Sequence, residues 1–180
     1  MRRFATTLMV SAIFLPALGS ADETEQERER AETLLGGNEN PPVISEGSGR
    51  FTATSEGNRI TFKLRYDVAS DESDVLQAHL HIANPGNNGP IVVFLCSNLG
   101  NVPPGATARD CPASPGEVEG SIVAADVLAA SEGDPPVPII AAGDLEGLKR
   151  LIEQGSVYSN VHTDNHGAGE IRAQMNPRRR

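Results

Sequence analysis

An all-β domain with one short helix is the fold class that the sequence predicts, and three observations predict it. Apolar and polar residues alternate strictly over residues 60–68, which is typical of an antiparallel strand with one buried face. The 180 residues include 18 glycines and 13 prolines, which favour many turns between short strands over a helical bundle. Helical spacing of apolar residues is clearest over residues 144–154, where Asp144 is a suitable N-cap and Gly155 a suitable stop.

The remaining elements follow from the alternation and from the turns between segments. Residues 49–54, a turn at residues 55–58 and the strand at residues 60–68 together predict a β-hairpin. Leu34 and Leu35 predict the start of a first strand, which the glycine and proline residues after it end. Five further strands are predicted, at residues 76–82, 91–95, 118–124, 157–163 and 169–175. The expected connections are loops at residues 67–74, 98–116 and 132–138, and a short helical turn capped by Asp126.

Residues 1–21 are predicted to be a signal peptide. Arg2 and Arg3 precede an uncharged, mostly apolar stretch, and small residues up to Ala21 suit cleavage by signal peptidase. The alternative is a membrane anchor, which the shortness of the apolar stretch disfavours. We therefore expect a secreted or periplasmic protein without membrane attachment after cleavage.

Two charged segments flank the predicted folded region. Residues 22–32 are nearly all polar and predict an acidic flexible tether, and residues 177–180 predict a solvated basic tail. Cleavage after residue 21 removes two of the 15 basic residues and none of the 24 acidic ones, so 13 minus 24 leaves a charge of −11. This charge argues against nucleic acid as a partner and permits cationic ligands or metal ions.

Cys96 and Cys111 are the two cysteines of the chain. In an oxidising compartment an even pair predicts a disulfide, and closing a loop of this size stabilises a protein by about 3 kcal/mol in the chain-entropy treatment. The alternative is that the two sulfurs are thiolate ligands of a metal.

All four histidines fall in two clusters near predicted strand ends. His79 and His81 lie two residues apart on one strand, so they share a face with Cα atoms about 6.5–7 Å apart. His162 and His166 lie near the C-terminus. Neutral imidazoles suit copper, zinc, iron or nickel, and three of them leave a coordination position open. The sequence therefore predicts a metal site, and the alternative is a solvated polar face or a His–Glu hydrogen-bond network.

Other polar residues on the same predicted surface are expected to support this site. Asn160 and Glu170 are candidates for orienting an imidazole from behind. Arg172 is the candidate catalytic residue, because a guanidinium beside a metal would attract an anion.

Six stretches occur in order along the mature chain and carry a resemblance to a known family. They are residues 35–43 (Leu-Gly-Gly-Asn-Glu-Asn-Pro-Pro-Val), 78–81 (Ala-His-Leu-His), 88–93 (Asn-Gly-Pro-Ile-Val-Val), 120–126 (Gly-Ser-Ile-Val-Ala-Ala-Asp), 148–155, and 158–163 continuing to 169–174. Together they resemble the CHRD domain, named after chordin, over residues 33–176. The resemblance implies a Greek-key β-sandwich and, from the setting of chordin, an extracellular domain with a protein partner. The chain departs from the family pattern at residues 167–169 and at Ala173, and His166 is not expected to be a fixed position.

A weaker similarity connects the histidines to copper-zinc superoxide dismutase, which is also a Greek-key sandwich. In that family a His-x-His pair and a later histidine hold copper on the outer face, near a disulfide-pinned loop and an arginine. His79, His81 and His162 match the copper ligands in this respect, and Arg172 matches the arginine. The run of histidines and an aspartate that forms the zinc site is missing here. The similarity therefore implies a copper-only site, with zinc as the alternative metal.

Two hypotheses of different classes follow. The first is an exported metal-binding domain that holds one copper ion through His79, His81 and His162, with His166 as an optional ligand, for a dismutase-like or a copper-carrying role. The second is a non-enzymatic protein-binding module in which the histidines are structural. The sequence leaves open whether the protein is an enzyme.

Overall fold

The computed structural model describes residues 28–68 and 74–176. The predicted signal peptide, residues 22–27 of the predicted tether and the predicted basic tail lie outside the described residues. Within the described part are ten strands, one α-helix and two 3-10 turns. They are β1 (Arg28–Leu35), a 3-10 turn (Gly36–Asn38), β2 (Ser48–Glu56), β3 (Arg59–Asp67), β4 (Val75–Ile82), β5 (Ile91–Ser97), β6 (Gly116–Ile122), a 3-10 turn (Ala124–Asp126), β7 (Ala130–Glu132), β8 (Val137–Ile140), α1 (Leu145–Gln154), β9 (Val157–Thr163) and β10 (Ile171–Gln174).

Eight of the strands form one antiparallel sheet in the order β5-β4-β9-β10-β1-β2-β3-β6. The two end strands, β5 and β6, approach each other, so the sheet is rolled into a nearly closed barrel. Strands β3 and β4 follow each other in the chain but lie in opposite halves of the sheet. Strands β7 and β8 form a separate hairpin. This architecture confirms the predicted all-β, sandwich-like fold with one short helix.

The core lies inside the rolled sheet, where the period-2 alternation directs its apolar residues. Ile60, Leu64 and Tyr66 of β3 are buried, whereas Arg59 and Arg65 face solvent. The predicted hairpin is present, because β2 and β3 pair in register from end to end. The alternation over residues 60–68 thus identified the buried face of the longest strand pair.

Helix α1 begins and ends where its capping residues predict. The Asp144 side chain accepts a hydrogen bond from the backbone N–H of Gly147 at 2.7 Å, which satisfies a donor of the first turn. Gly155 follows the last turn with φ +79°, in the left-handed region that favours glycine. Leu148 and Ile152 bury the apolar face of the helix.

The prediction of a flexible tether is wrong for residues 28–32, because these residues belong to β1. Arg28 to Leu35 pair with β2 along the whole strand. The backbone hydrogen bonds of a strand do not require apolar side chains, and one face of β1 remains exposed to solvent. A run of acidic and basic residues therefore adds a strand without adding a large apolar surface.

Two smaller expectations about the loops need correction. The acidic, proline-rich segment at residues 132–138 forms the turn of a hairpin that was not predicted, since β7 and β8 pair on either side of it. Asp126 ends a 3-10 turn instead of starting a helical one, and its carboxylate accepts hydrogen bonds from the backbone of Val123 and of Thr107. Within the described residues no helix is long and apolar enough to cross a membrane.

The predicted disulfide joins Cys96 at the end of β5 to Cys111 in the following long loop. The two sulfurs are bonded to each other, which excludes the alternative in which they are separate thiolate ligands. The Asn98 side chain also bonds the loop, because its oxygen accepts from the backbone N–H of Cys111 at 2.9 Å.

Replacing both cysteines with alanine is expected to lower the free energy of unfolding by about 3 kcal/mol, because the loop closed by the bond becomes free in the unfolded chain. Urea denaturation of the parent and the variant measures this difference. A reducing agent should destabilise the parent by a similar amount and leave the variant unchanged. A loss below about 1 kcal/mol in both experiments would contradict the prediction.

Candidate metal centre

The sheet brings His79, His81 and His162 together on one face. His79 and His81 lie on β4, which pairs with β9, the strand that carries His162. In this register Gln77 lies opposite His162 and His79 lies opposite Asn160. The ring centroid of His79 is 5.1 Å from that of His162 and 5.4 Å from that of His81. Period-2 alternation on β4 and antiparallel pairing with β9 thus build the triad predicted from the sequence.

The imidazole nitrogens are close enough to share one ion. One ring nitrogen from each of the three histidines lies within 4.8 Å of the other two. Nδ1 of His79 and Nε2 of His162 are 3.3 Å apart. Zinc and similar ions bind imidazole nitrogens at about 2.0–2.1 Å, so two nitrogens on one ion are separated by roughly 3–4 Å. Small side-chain movements would therefore complete a three-nitrogen site.

Backbone carbonyls hold the outer nitrogens of two of the histidines. The Nδ1–H of His81 donates to the carbonyl of Gly89 at 2.8 Å, and that of His162 donates to the carbonyl of Gly167 at 3.0 Å. A carbonyl only accepts, so these bonds assign the proton to Nδ1 and leave a lone pair on Nε2. The sequence does not predict these two hydrogen bonds, because every residue type has the same main-chain carbonyl.

The Nε2 atoms of His79 and His81 are buried and have no hydrogen-bond partner. Nδ1 of His79 can donate to the bare Nε2 of His162, which leaves the Nε2 of His79 bare as well. An unsatisfied buried polar atom costs about 1–3 kcal/mol. Bare imidazole nitrogens directed into a shared space are the donor set that a metal ion requires.

The site is buried, whereas the similarity to superoxide dismutase implied a site on the outer face of the sheet. His79 is fully buried, and His81 and His162 are 8% and 7% exposed. The ring of Phe94 covers one side of His79, with its centroid 4.6 Å away and its plane nearly perpendicular. The polar face of β4 and β9 is therefore also buried, beneath the loops that follow the strands.

Burial keeps the three imidazoles neutral. It lowers the pKa of His79 to about 2 and the pKa of His81 to about 4, and the neighbouring histidines add to the effect in each case. The pKa of His162 is also lowered by burial. Neutral imidazole is the form that binds metals, so the triad needs no deprotonation at pH 7.

The predicted supporting residues have different roles from those expected. Asn160 contacts the triad, since its Oδ1 lies 3.1 Å from Nε2 of His162. That nitrogen faces the shared space between the imidazoles, whereas an orienting residue would hold the outer nitrogen. Glu170 bonds no imidazole among the described residues. Its carboxylate accepts from the hydroxyls of Ser45 at 2.6 Å and Thr163 at 2.8 Å, and so ties a covering segment to β9.

His166 and Arg172 lie outside the cluster of three imidazoles. His166 lies in the turn after β9 and is not part of the triad. Arg172 is 1% exposed, and its guanidinium lies 3.4 Å from the ring centre of Tyr158. Its hydrogen bonds go to protein atoms, including the backbone of Asn87. This is not the solvent-facing position that attraction of an anion would require.

Glu39 is a buried acid beside the site that the sequence analysis missed. It lies near Asn160 and Arg172, and burial raises its pKa to about 7 even though both neighbours act in the opposite direction. Gly169 leaves room for it, because a Cβ there would lie 2.4 Å from the Glu39 carboxylate. The available signal is an acidic residue within residues 36–42, a segment that predicts the end of a strand and carries part of the resemblance to the CHRD domain.

Comparison with known proteins identifies the family. No curated protein and no solved structure matched the chain, so the weaker similarity to superoxide dismutase stays a prediction. The family model of the CHRD domain matches residues 31–175, which is most of the chain and covers all three histidines of the triad. The chain therefore belongs to the CHRD domain family.

Proposed function

We propose that this CHRD domain acts outside the cytosol and binds one copper ion through His79, His81 and His162. One observation carries the proposal: three buried imidazoles converge, and the protons of two of them are held on the far side by backbone carbonyls. A purely structural histidine normally uses both ring nitrogens in hydrogen bonds. Here two inward nitrogens lack any partner.

The donor set favours a transition metal. The three converging ligands are neutral nitrogens, whereas calcium and magnesium prefer several oxygen ligands. Copper binds such sites more tightly than zinc in the usual order of divalent ions, so copper is the first candidate and zinc the second. Bound copper would supply one-electron redox chemistry.

The surroundings favour holding the ion over turning over a large substrate. All three imidazoles are buried, and Phe94 shields His79. The protein's own residues would thus present three preset nitrogens and exclude bulky molecules. Storage or transfer of copper needs no more than this, and redox reaction with a molecule as small as superoxide is compatible with it.

Metal titration of the purified exported chain tests the proposal. Copper(I), copper(II) and zinc(II) are titrated against chromophoric competitors, and the copper(II) form is examined by EPR. One equivalent of copper with nitrogen hyperfine coupling is expected. A His79→Ala, His81→Ala double variant should lose this site, and the His166→Ala variant should retain it, because His166 lies outside the triad.

Equal copper binding by the parent and the double variant would overturn the proposal. A parent that binds no metal would favour the second hypothesis, a protein-binding module with structural histidines. If copper is bound, a dismutase assay on the loaded protein separates a redox role from a carrier role.

A further inference from the structure

Arg172 is a buried positive charge whose partners in the structure are mostly neutral groups of one loop. Among the described residues no salt bridge joins it to an acid. Its two terminal nitrogens donate to the backbone carbonyl of Asn87 at 2.8 Å and to the side-chain oxygen of Asn88 at 3.1 Å. A third bond goes to Gln174 on its own strand at 3.2 Å. Burying a charge is costly unless hydrogen bonds satisfy it, and hydrogen bonds from a guanidinium are strong. These contacts therefore hold the accepting groups of the loop in place.

The loop that Arg172 holds is the one that orients His81. Gly89 directly follows Asn88, and its carbonyl accepts the Nδ1–H of His81 at 2.8 Å. The same residue donates its backbone N–H to the hydroxyl of Tyr158 at 3.4 Å. The loop lies so close to β4 that a Cβ on Gly89 would be 1.9 Å from the carbonyl oxygen of Ile82. A small displacement of Asn87 and Asn88 would therefore move the acceptor of His81.

Tyr158 provides a second connection between Arg172 and His81. Its ring is stacked on the His81 imidazole, with centroids 4.7 Å apart and planes 2° from parallel. The guanidinium of Arg172 also lies over this ring. Strand β9, which carries Tyr158, runs between β4 and β10, so the phenol ring contacts one group from each neighbouring strand. Arg172 thus constrains both the plane of the imidazole and the partner of its Nδ1.

We propose that Arg172 is a positioning residue for the metal centre: it fixes the loop at residues 83–90 so that Gly89 holds His81 with Nδ1 protonated and Nε2 free to bind the ion. This role rests on the proposed function and gives Arg172 a task other than attracting an anion. It also explains why a cation is placed near a site for cations. The guanidinium acts through its planar, multidentate geometry and its stacking, which lysine cannot reproduce.

The first test uses the metal-free protein. Long-range ¹H–¹⁵N NMR correlations report which nitrogen of each imidazole carries the proton. In the parent, His81 should be the Nδ1–H form alone. Arg172→Gln and Arg172→Lys should both show a mixture of the two forms at His81 and an unchanged signal at His162, whose Nδ1 is held by Gly167 instead.

The second test measures copper affinity by chelator competition. Loss of a group that orients a metal ligand typically weakens metal binding by about 10–100-fold, and we expect this for both Arg172 variants. Asn88→Ala removes one Arg172 contact together with the bond that the Asn88 amide donates to the carbonyl of Asn40, and a weakening of roughly 10-fold is expected at the lower end of that range. Asn84→Ala is the matched control, because Asn84 lies in the same loop, accepts a hydrogen bond from Ser156 and does not contact Arg172.

The outcomes separate this inference from the proposed function. A folded Arg172→Gln protein with the parent's His81 proton position would overturn the positioning role, whatever its copper affinity. Full retention by Arg172→Lys alone would overturn it as well, because charge would then be the property that matters. If the Arg172 variants do not fold, unchanged NMR signals in Asn88→Ala decide against the role. A parent that binds no copper contradicts the proposed function, while the NMR comparison still decides on positioning.

Discussion

The metal-free protein is expected to lose several kcal/mol of stability as the pH falls from 6.5 to 4. His81 has a pKa of about 4 in the folded protein and 6.5 as its ordinary value, so the unfolded chain takes up its proton first. A group whose pKa is lowered by folding contributes stability at pH values above its pKa in the unfolded chain. That stability is lost as the pH falls towards the pKa of the folded protein. At about 1.4 kcal/mol for each pH unit, His81 alone accounts for roughly 3 kcal/mol by pH 4. His79, with a pKa of about 2, adds a loss of the same sign that continues to lower pH.

Urea denaturation at half-unit steps of pH measures this profile. His81→Gln removes one titrating group and should flatten the curve between pH 6.5 and 4 by roughly 3 kcal/mol. The His166→Ala variant is the control for the loss of a histidine outside the triad. If the His81→Gln curve is as steep as that of the parent, the imidazole is not kept neutral by burial.

Glu39→Gln is expected to remove a pH dependence of opposite sign. The pKa of Glu39 is raised from 4.5 to about 7, chiefly by burial, so the unfolded chain ionises first as the pH rises. A group whose pKa is raised by folding contributes stability at pH values below its pKa in the unfolded chain. For Glu39 that stability is lost as the pH rises from 4.5 to about 7. The loss amounts to roughly 3 kcal/mol, a large part of the 5–15 kcal/mol that holds a typical domain together. Glutamine keeps the shape but cannot ionise. The free energy of unfolding of the variant, relative to that of the parent, should therefore rise by this amount between pH 4.5 and 8.

The comparison uses the difference between variant and parent at each pH, because the histidines titrate in an overlapping range. Glu132→Gln, at an exposed position of β7, is the control for the loss of a carboxylate at the surface. A constant difference for Glu39→Gln would mean that the carboxylate is ionised in the folded protein at neutral pH. In that case the charge of Arg172 and the hydrogen bond from Asn160 together outweigh burial.

Much of the candidate site followed from local rules. Two residues apart on a strand means a shared face, so His79 and His81 were bound to lie side by side once β4 formed. The alternation in β3 predicted the hairpin, and Asp144 and Gly155 predicted the ends of the helix. These features depend on backbone geometry over a few residues, and neighbouring side chains in the sequence are sufficient to specify them.

The sequence by itself thus determined most strands of the large sheet, the helix, the disulfide partners and the pair of histidines that begins the site, but not the start of β1 or the β7–β8 hairpin. Only the tertiary structure decided that β9 lies beside β4, which brings His162 into the triad and leaves His166 outside. It also decided that loops cover the polar face, that Glu39 is buried beside it, and that the Gly89 carbonyl selects the proton position of His81. The physical reason is that register and burial depend on contacts between segments far apart in the chain. A polar residue such as Arg172 looks the same in sequence whether it faces solvent or holds a loop over a buried site.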